Sequence, residues 1–126
     1  MIPARILVVD DDDNGCRTCA AALTLEGYRV RVSTEPSDAL AQLAVEPPDA
    51  ILLDFNMPYI NGAGFLYRVR ANPESRHIPV ALITGMVLDD LTTRELRDLG
   101  AEVWFKPVWI EDVVRITRGL LSKGAV

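Results

Sequence analysis

Asp10, Asp11, Asp54, Thr84 and Lys106 are spread over most of the chain, yet each stands at the end of a short apolar run. Ionised carboxylates brought within a few ångströms repel one another unless a cation or a proton intervenes. A hard divalent ion with oxygen ligands, magnesium above all, resolves that conflict while keeping several waters. A cation beside a carboxylate and a lysine also suits a phosphoryl group, because metal and ammonium neutralise its equatorial oxygens while a hydroxyl donates to it. The carboxylate left facing phosphorus can act as nucleophile and hold an acyl phosphate.

Such chemistry needs elements that carry these residues to one place. Ile6-Leu7-Val8-Val9 is short and β-branched, as expected of a strand covered on both faces, and it stops at Asp10. Asp12, Asp13 and Asn14 can cap a helix running to about Glu26, where Gly27 ends it. Tyr28 to Val32 alternates apolar and polar residues and reads as a strand nearer an edge. A helix over Asp38 to Val45, closed by Pro47-Pro48, precedes the buried strand Ala50-Ile51-Leu52-Leu53, which ends at Asp54. After the loop Phe55-Asn56-Met57-Pro58, a helix is predicted from Gly62 to Arg70 and a strand from Pro79 to Ile83, ending at Thr84-Gly85. A charged helix over Leu88 to Leu99, a strand over Glu102 to Phe105 ending at Lys106-Pro107, and a helix over Ile110 to Leu121 complete the alternation. In that last helix Ile110, Val113, Val114, Thr117 and Leu121 lie near helical spacing.

Strand–helix units joined by short links imply an α/β domain, a parallel sheet with helices on both faces. The expected architecture is doubly wound and flavodoxin-like, five strands in the order 2-1-3-4-5, formed by residues 1–126 as a single domain. In such sheets ligands bind beyond the carboxyl ends of the strands, where the strand order reverses. Asp10, Asp11 and Asp54 converge on that point, with Thr84 and Lys106 beside it.

Composition narrows the function classes. The 126 residues suit one domain, and a formal charge of −5 without a basic stripe argues against nucleic-acid binding. No apolar run approaches the roughly 20 residues that span a bilayer, and the start lacks a signal-peptide layout. No membrane partner is therefore expected, and the expected address is the cytoplasm. Cys16 and Cys19 have the C-x-x-C spacing, but no second pair completes a zinc site, and the nearby aspartates would raise a redox thiol's pKa. They read as core cysteines on one helix face.

The segments Val8-Val9-Asp10-Asp11, Asp54-Phe55-Asn56-Met57-Pro58 with Gly62, Ile83-Thr84-Gly85 and Lys106-Pro107 together resemble the signature of receiver domains of two-component response regulators. The resemblance spans essentially the whole chain and is closest to single-domain, chemotaxis-regulator-like members. It implies that Asp54 accepts a phosphoryl group from a histidine kinase or histidine phosphotransfer protein and so switches affinity for an output partner. Asp11, Asp54 and the backbone carbonyl of Asn56 would ligate Mg²⁺, with Asp10 acting through a bound water. Lys106 would pair with the phosphoryl oxygens, Thr84 would turn its hydroxyl toward them, and Gly85 would leave its N–H free to approach. Pro107 would follow a cis peptide bond that aims Lys106. The output partner would be met through the face formed by the fourth helix, fifth strand and fifth helix. Such a domain is not an enzyme in the ordinary sense, since it catalyses only its own phosphoryl transfer and loss. Met1 and the short tail from Ser122 fit a stand-alone receiver slightly better than the input half of a larger regulator.

Some positions depart from the pattern or admit plainer readings. Receivers usually carry Tyr or Phe three residues before the lysine, where this chain has Val103; Trp104 points to the opposite face by strand alternation. The usual route from site to surface is therefore expected to be weaker or differently routed. Asn56 and Met86 hold the positions that influence phosphoryl lifetime, and an apolar Met86 predicts a long one because it cannot hydrogen-bond an attacking water. Asp12 and Asp13 are explained by capping, His77 by a surface loop, and Trp104, Phe105 and Trp109 by core or partly exposed packing around the last strand and helix. Two other functions compete: a receiver-like binding module that needs no phosphorylation, and a small phosphatase whose aspartate nucleophile lies in Asp10-Asp11-Asp12-Asp13-Asn14. The second leaves Asp-Phe-Asn-Met-Pro unexplained, and its mass is small for the cap such enzymes need.

Overall fold

A computed structural model describes residues 2–54, 62–85 and 87–124. Its elements alternate along the chain as β1 Arg5–Val9, α1 Asp13–Leu25, β2 Arg29–Ser33, α2 Pro36–Val45, β3 Ala50–Asp54, α3 Gly62–Ala71, β4 Val80–Thr84, α4 Asp90–Asp98, β5 Ala101–Phe105 and α5 Ile110–Gly124. The strands form one sheet in the order β2-β1-β3-β4-β5, every neighbouring pair parallel, as the alternation predicts.

The apolar strands serve two cores at once because successive side chains point to opposite faces. Leu7, Val9, Ile51, Leu53, Val80 and Leu82 pack on one face with Leu43, Phe65 and Leu96 of α2, α3 and α4. Ile6, Val8, Leu52 and Ala81 pack on the other with Cys16 and Leu23 of α1 and Val113, Ile116 and Leu120 of α5. Burial on both faces explains why β1 and β3 read as continuous apolar runs.

Local chemistry sets the helix ends. Asp12 caps α1, its carboxylate accepting the Asn14 N–H at 3.1 Å. Asp89 caps α4 by accepting from Thr92 N–H at 2.6 Å, so that helix begins later than Leu88. The helix α2 begins at Pro36 rather than Asp38, because proline suits the first turn, where its missing N–H has no helical partner. Gly27 (φ +97) and Gly100 (φ +82) end α1 and α4 in the left-handed region, which favours glycine.

In α5 the buried set differs from the spacing-based reading. Val113, Ile116, Thr117 and Leu120 are buried, whereas Ile110 is 39% exposed. The helix is anchored by its middle, and its first residue faces outward. Trp109 is 67% exposed and so is not core. No helix among the described residues is long and apolar enough to cross a membrane.

Phe65 is fully buried in the larger core. Phe65→Ala is expected to cost about 3–5 kcal/mol in urea denaturation. Leu25→Ala, at a side chain 89% exposed, should stay within about 0.5 kcal/mol. Comparable losses for the two would contradict this placement of the core.

Candidate functional site

The strand order reverses between β1, which runs to β2 on one side, and β3, which leads to β4 and β5 on the other. Val9 is paired in register with Leu53, so the next residues, Asp10 and Asp54, emerge side by side. Carboxylate oxygens of Asp10, Asp11 and Asp54 lie within 4.8 Å of one another. Asp54 is buried, Asp10 half-buried and Asp11 exposed, so the cluster grades from the sheet interior to solvent. The sequence-predicted acids are thus brought together.

Lys106 comes to the same point from the far side. Its ammonium lies 3.8 Å from Asp54 Oδ1, an ion pair too long for a hydrogen bond. Its backbone N–H donates to the Thr84 carbonyl at 2.8 Å, extending the β4–β5 ladder by one step and fixing where the lysine leaves the sheet. The Lys106–Pro107 peptide is cis, as expected. Thr84 is fully buried at the end of β4, across from Phe105, and Gly85 follows it at the exposed strand end. Asn56 and Met86, together with the loop Phe55-Asn56-Met57-Pro58, lie outside the described residues.

Electrostatics in the cluster are unbalanced. Burial pushes the Asp10 carboxyl up from the ordinary 3.8 to about 6. The Asp12 N–H, which donates to Asp10 Oδ1 at 3.0 Å, opposes that rise. A hydrogen bond and the charge of Asp54 add to it, and the charge of Lys106 offsets part of it. One lysine does not neutralise several close carboxylates, so the donor set fits a hard divalent cation. Among the described residues this is the one acidic cluster with such spacing.

Other residues complete the surroundings. The Cys16 thiol donates to the Asp10 carbonyl at 3.2 Å, tying α1 to the end of β1. A Cβ at Gly15 would sit 3.0 Å from Asp10 Oδ2, so glycine there keeps the carboxylate accessible. A cleft of about 440 Å³ runs from Asp10, Asp54 and Lys106 past Gly15 and Cys19 to Trp109. Burial, then the charge of Asp10, pushes the Cys19 thiol up, which argues against a redox thiolate. Core placement of Cys16 follows from the helical spacing of the cysteines; the roles of Gly15 and Cys16 beside Asp10 depend on how α1 leaves β1, which periodicity does not report.

Val103 is half-buried against the core beneath α4. Trp104, on the opposite face, is 40% exposed and donates from its indole to Glu102 at 3.1 Å. The aromatic three residues before the lysine is absent, as read from the sequence, and His77 is exposed as expected.

A profile described as response regulator receiver domain matches residues 6–118. The response regulator PleD of Caulobacter vibrioides is 45% identical over 115 residues, which cover 91% of this chain and 25% of PleD. Protein RcaC of Microchaete diplosiphon is 34% identical over 121 residues, covering 94% of this chain and 18% of RcaC. The chain therefore spans about a quarter or less of these relatives' length. Among solved structures, the chemotaxis protein CheY4 of Vibrio cholerae matches with a TM-score of 0.87 at 26% identity, covering 95% of this chain and all of that one. The chain belongs to the family of response-regulator receiver domains of two-component signalling.

Proposed function

We propose that the chain is a Mg²⁺-dependent receiver, acting as one unit over residues 1–126 in the cytoplasm, that accepts a phosphoryl group on Asp54 from a phosphohistidine donor. The donor is a histidine kinase or a histidine phosphotransfer protein. One observation carries the reading: a buried carboxylate at the strand-order switch point stands within 4.8 Å of two further carboxylates and 3.8 Å from an ammonium. An Asp54 carboxylate oxygen attacks phosphorus, the donor's N–P bond breaks as the O–P bond forms, and the leaving imidazole takes up a proton. Asp11, Asp54 and the Asn56 carbonyl would hold the metal, with Asp10 acting through a bound water, and Mg²⁺ there would supply charge neutralisation for the phosphoryl oxygens. Lys106 pairs with those oxygens, Thr84 donates its hydroxyl and Gly85 its N–H.

The output partner is met on the face of α4, β5 and α5, where Leu91, Trp104, Phe105 and Ile110 expose apolar surface. With Val103 in place of an aromatic, coupling between site and face runs through less side-chain volume.

Incubation with acetyl phosphate and Mg²⁺ should add a single phosphoryl group by intact mass. The gain should vanish without Mg²⁺ and in Asp54→Asn, and fall in Lys106→Ala. Labelling that persists in Asp54→Asn but is lost in Asp10→Asn would replace this reading with the aspartate-nucleophile phosphatase. Val103→Tyr should leave the labelling rate within about twofold while changing affinity for the output partner several-fold, about 1 kcal/mol. Equal changes in both would count against the coupling route.

The raised pKa of Asp10 gives a pH dependence of definite sign. Between 3.8 and about 6 the folded protein binds more protons at Asp10 than the unfolded chain does. The stabilising contribution of the protonated group is therefore lost as pH rises through that window in metal-free protein. Mg²⁺ competes with the same proton, so its affinity should rise with pH up to about 6 and then level off, by at most about tenfold per pH unit. The rise in Tm on adding Mg²⁺, compared at about pH 5 and about pH 7.5, should be larger at the higher value. A pH-independent Mg²⁺ effect would refute the coupling.

A further inference from the structure

At the amino end of the sheet, away from the carboxylates, a cavity of about 210 Å³ lies between β1, β2 and the end of α2. The linear sequence contains no basic run here, but strand register creates a basic cluster. Arg5 pairs with Arg29 and Leu7 with Arg31, and Leu7 faces the α2 side. All three guanidiniums therefore share that face and line the cavity, with Gln42 and Glu46 of the α2 end opposite. Three cations meet one carboxylate there, in a chain whose net charge is −5.

Part of this cluster is structural. Glu46 is ion-paired to both Arg5 and Arg31, which pins the end of α2 to the sheet. Exposed arginines on an edge strand also discourage pairing with another chain. Neither role uses the Arg29 guanidinium or the Gln42 amide oxygen. Arg29 has no ion pair or hydrogen-bond partner for its guanidinium among the described residues. Gln42 Oε1 is buried and makes no hydrogen bond, while Arg5 Nε, also without one, lies 3.4 Å from Glu46 Oε1 in the ion pair. A buried acceptor left without a donor carries an unrecovered desolvation cost that a suitable ligand removes.

We propose that this cavity binds a small organic or inorganic anion, a carboxylate or phosphate that also carries a hydrogen-bond donor. The anionic oxygens fit the fork of Arg29, and the donor fits Gln42 Oε1. The volume is below the roughly 300–1,000 Å³ of drug-sized sites, which limits the ligand to a few heavy atoms. The site is independent of the phosphoryl chemistry at Asp54.

Calorimetric titration of the full chain with inorganic phosphate, L-malate and sodium chloride at matched ionic strength tests this. Phosphate and malate each combine anionic oxygens with an O–H donor. One of them should bind saturably, and Arg29→Ala and Gln42→Leu should each weaken it about tenfold or more. Acetyl phosphate labelling of Asp54 should stay unchanged in both variants. Tighter phosphate assigns a phosphoryl ligand, and tighter malate a hydroxycarboxylate. Absence of saturable binding, an equal effect of chloride, unchanged affinity in Arg29→Ala, or a soaked crystal with water alone in the cavity would each overturn the proposal. Failure of wild-type labelling would sink the receiver reading and leave this one standing.

Discussion

The crowding of Asp10, Asp11 and Asp54 is the constraint on which the rest of the molecule depends. Carboxylates whose oxygens lie within 4.8 Å of one another repel, and the burial of Asp54 leaves little water to screen them. Lys106, 3.8 Å from Asp54, relieves part of that repulsion, and Asp10 is pushed up to about 6, chiefly by burial, with Asp54 adding to the rise. A structure that keeps such a cluster must hold it by force from elsewhere. That force is the two-sided apolar core, which fixes β1 and β3 in a register where their terminal acids have no other place to go.

The same packing explains why the cluster is open to chemistry rather than sealed. Asp10 and Asp11 follow β1 and Asp54 is the last residue of β3, so the acids line the carboxyl rim of the sheet, from buried Asp54 out to exposed Asp11. Gly15 withholds the Cβ that would press on Asp10, and the Cys16 thiol caps the Asp10 carbonyl where the ladder to β2 has ended. On the far side, the Lys106 N–H to Thr84 bond continues the ladder long enough to deliver the lysine before the chain turns at Pro107. Each device acts on backbone placement, and the charged side chains follow.

The fold was legible because its strands are short apolar runs broken by acids, prolines and glycines, a pattern that only two-sided burial explains. The acids, Thr84 and Lys106 were legible for the same reason, since each terminates a run. Periodicity failed where burial depends on tilt rather than spacing. In α5 it favoured Ile110 over Ile116, although the helix meets the sheet with its middle. Trp109, expected as core or partly exposed packing, is mostly exposed because it falls in a link whose direction no period encodes. The helix α2 starts two residues before the expected Asp38, since a proline marks both a break and a helix start. The arginine cluster escaped notice altogether. Arg5 lies 24 residues from Arg29 in the chain, and only parallel register makes them neighbours.

β1 links the two polar ends of the molecule. Arg5 begins it and Asp10 follows it, so five residue steps separate a basic cluster from an acidic one. At about 3.3 Å per residue the ends are roughly 16 Å apart, about twice the Debye length of about 8 Å at physiological ionic strength. An anion at the arginine end therefore acts weakly, through the field, on the carboxylates. Any stronger effect has to pass through the position of β1 itself, which is locked on both faces by Ile6, Leu7, Val8 and Val9. Close-packed strands of this kind do not yield gradually. The two ends are thus free to carry separate chemistry on one sheet, which is what a parallel sheet with a charged rim at each end permits.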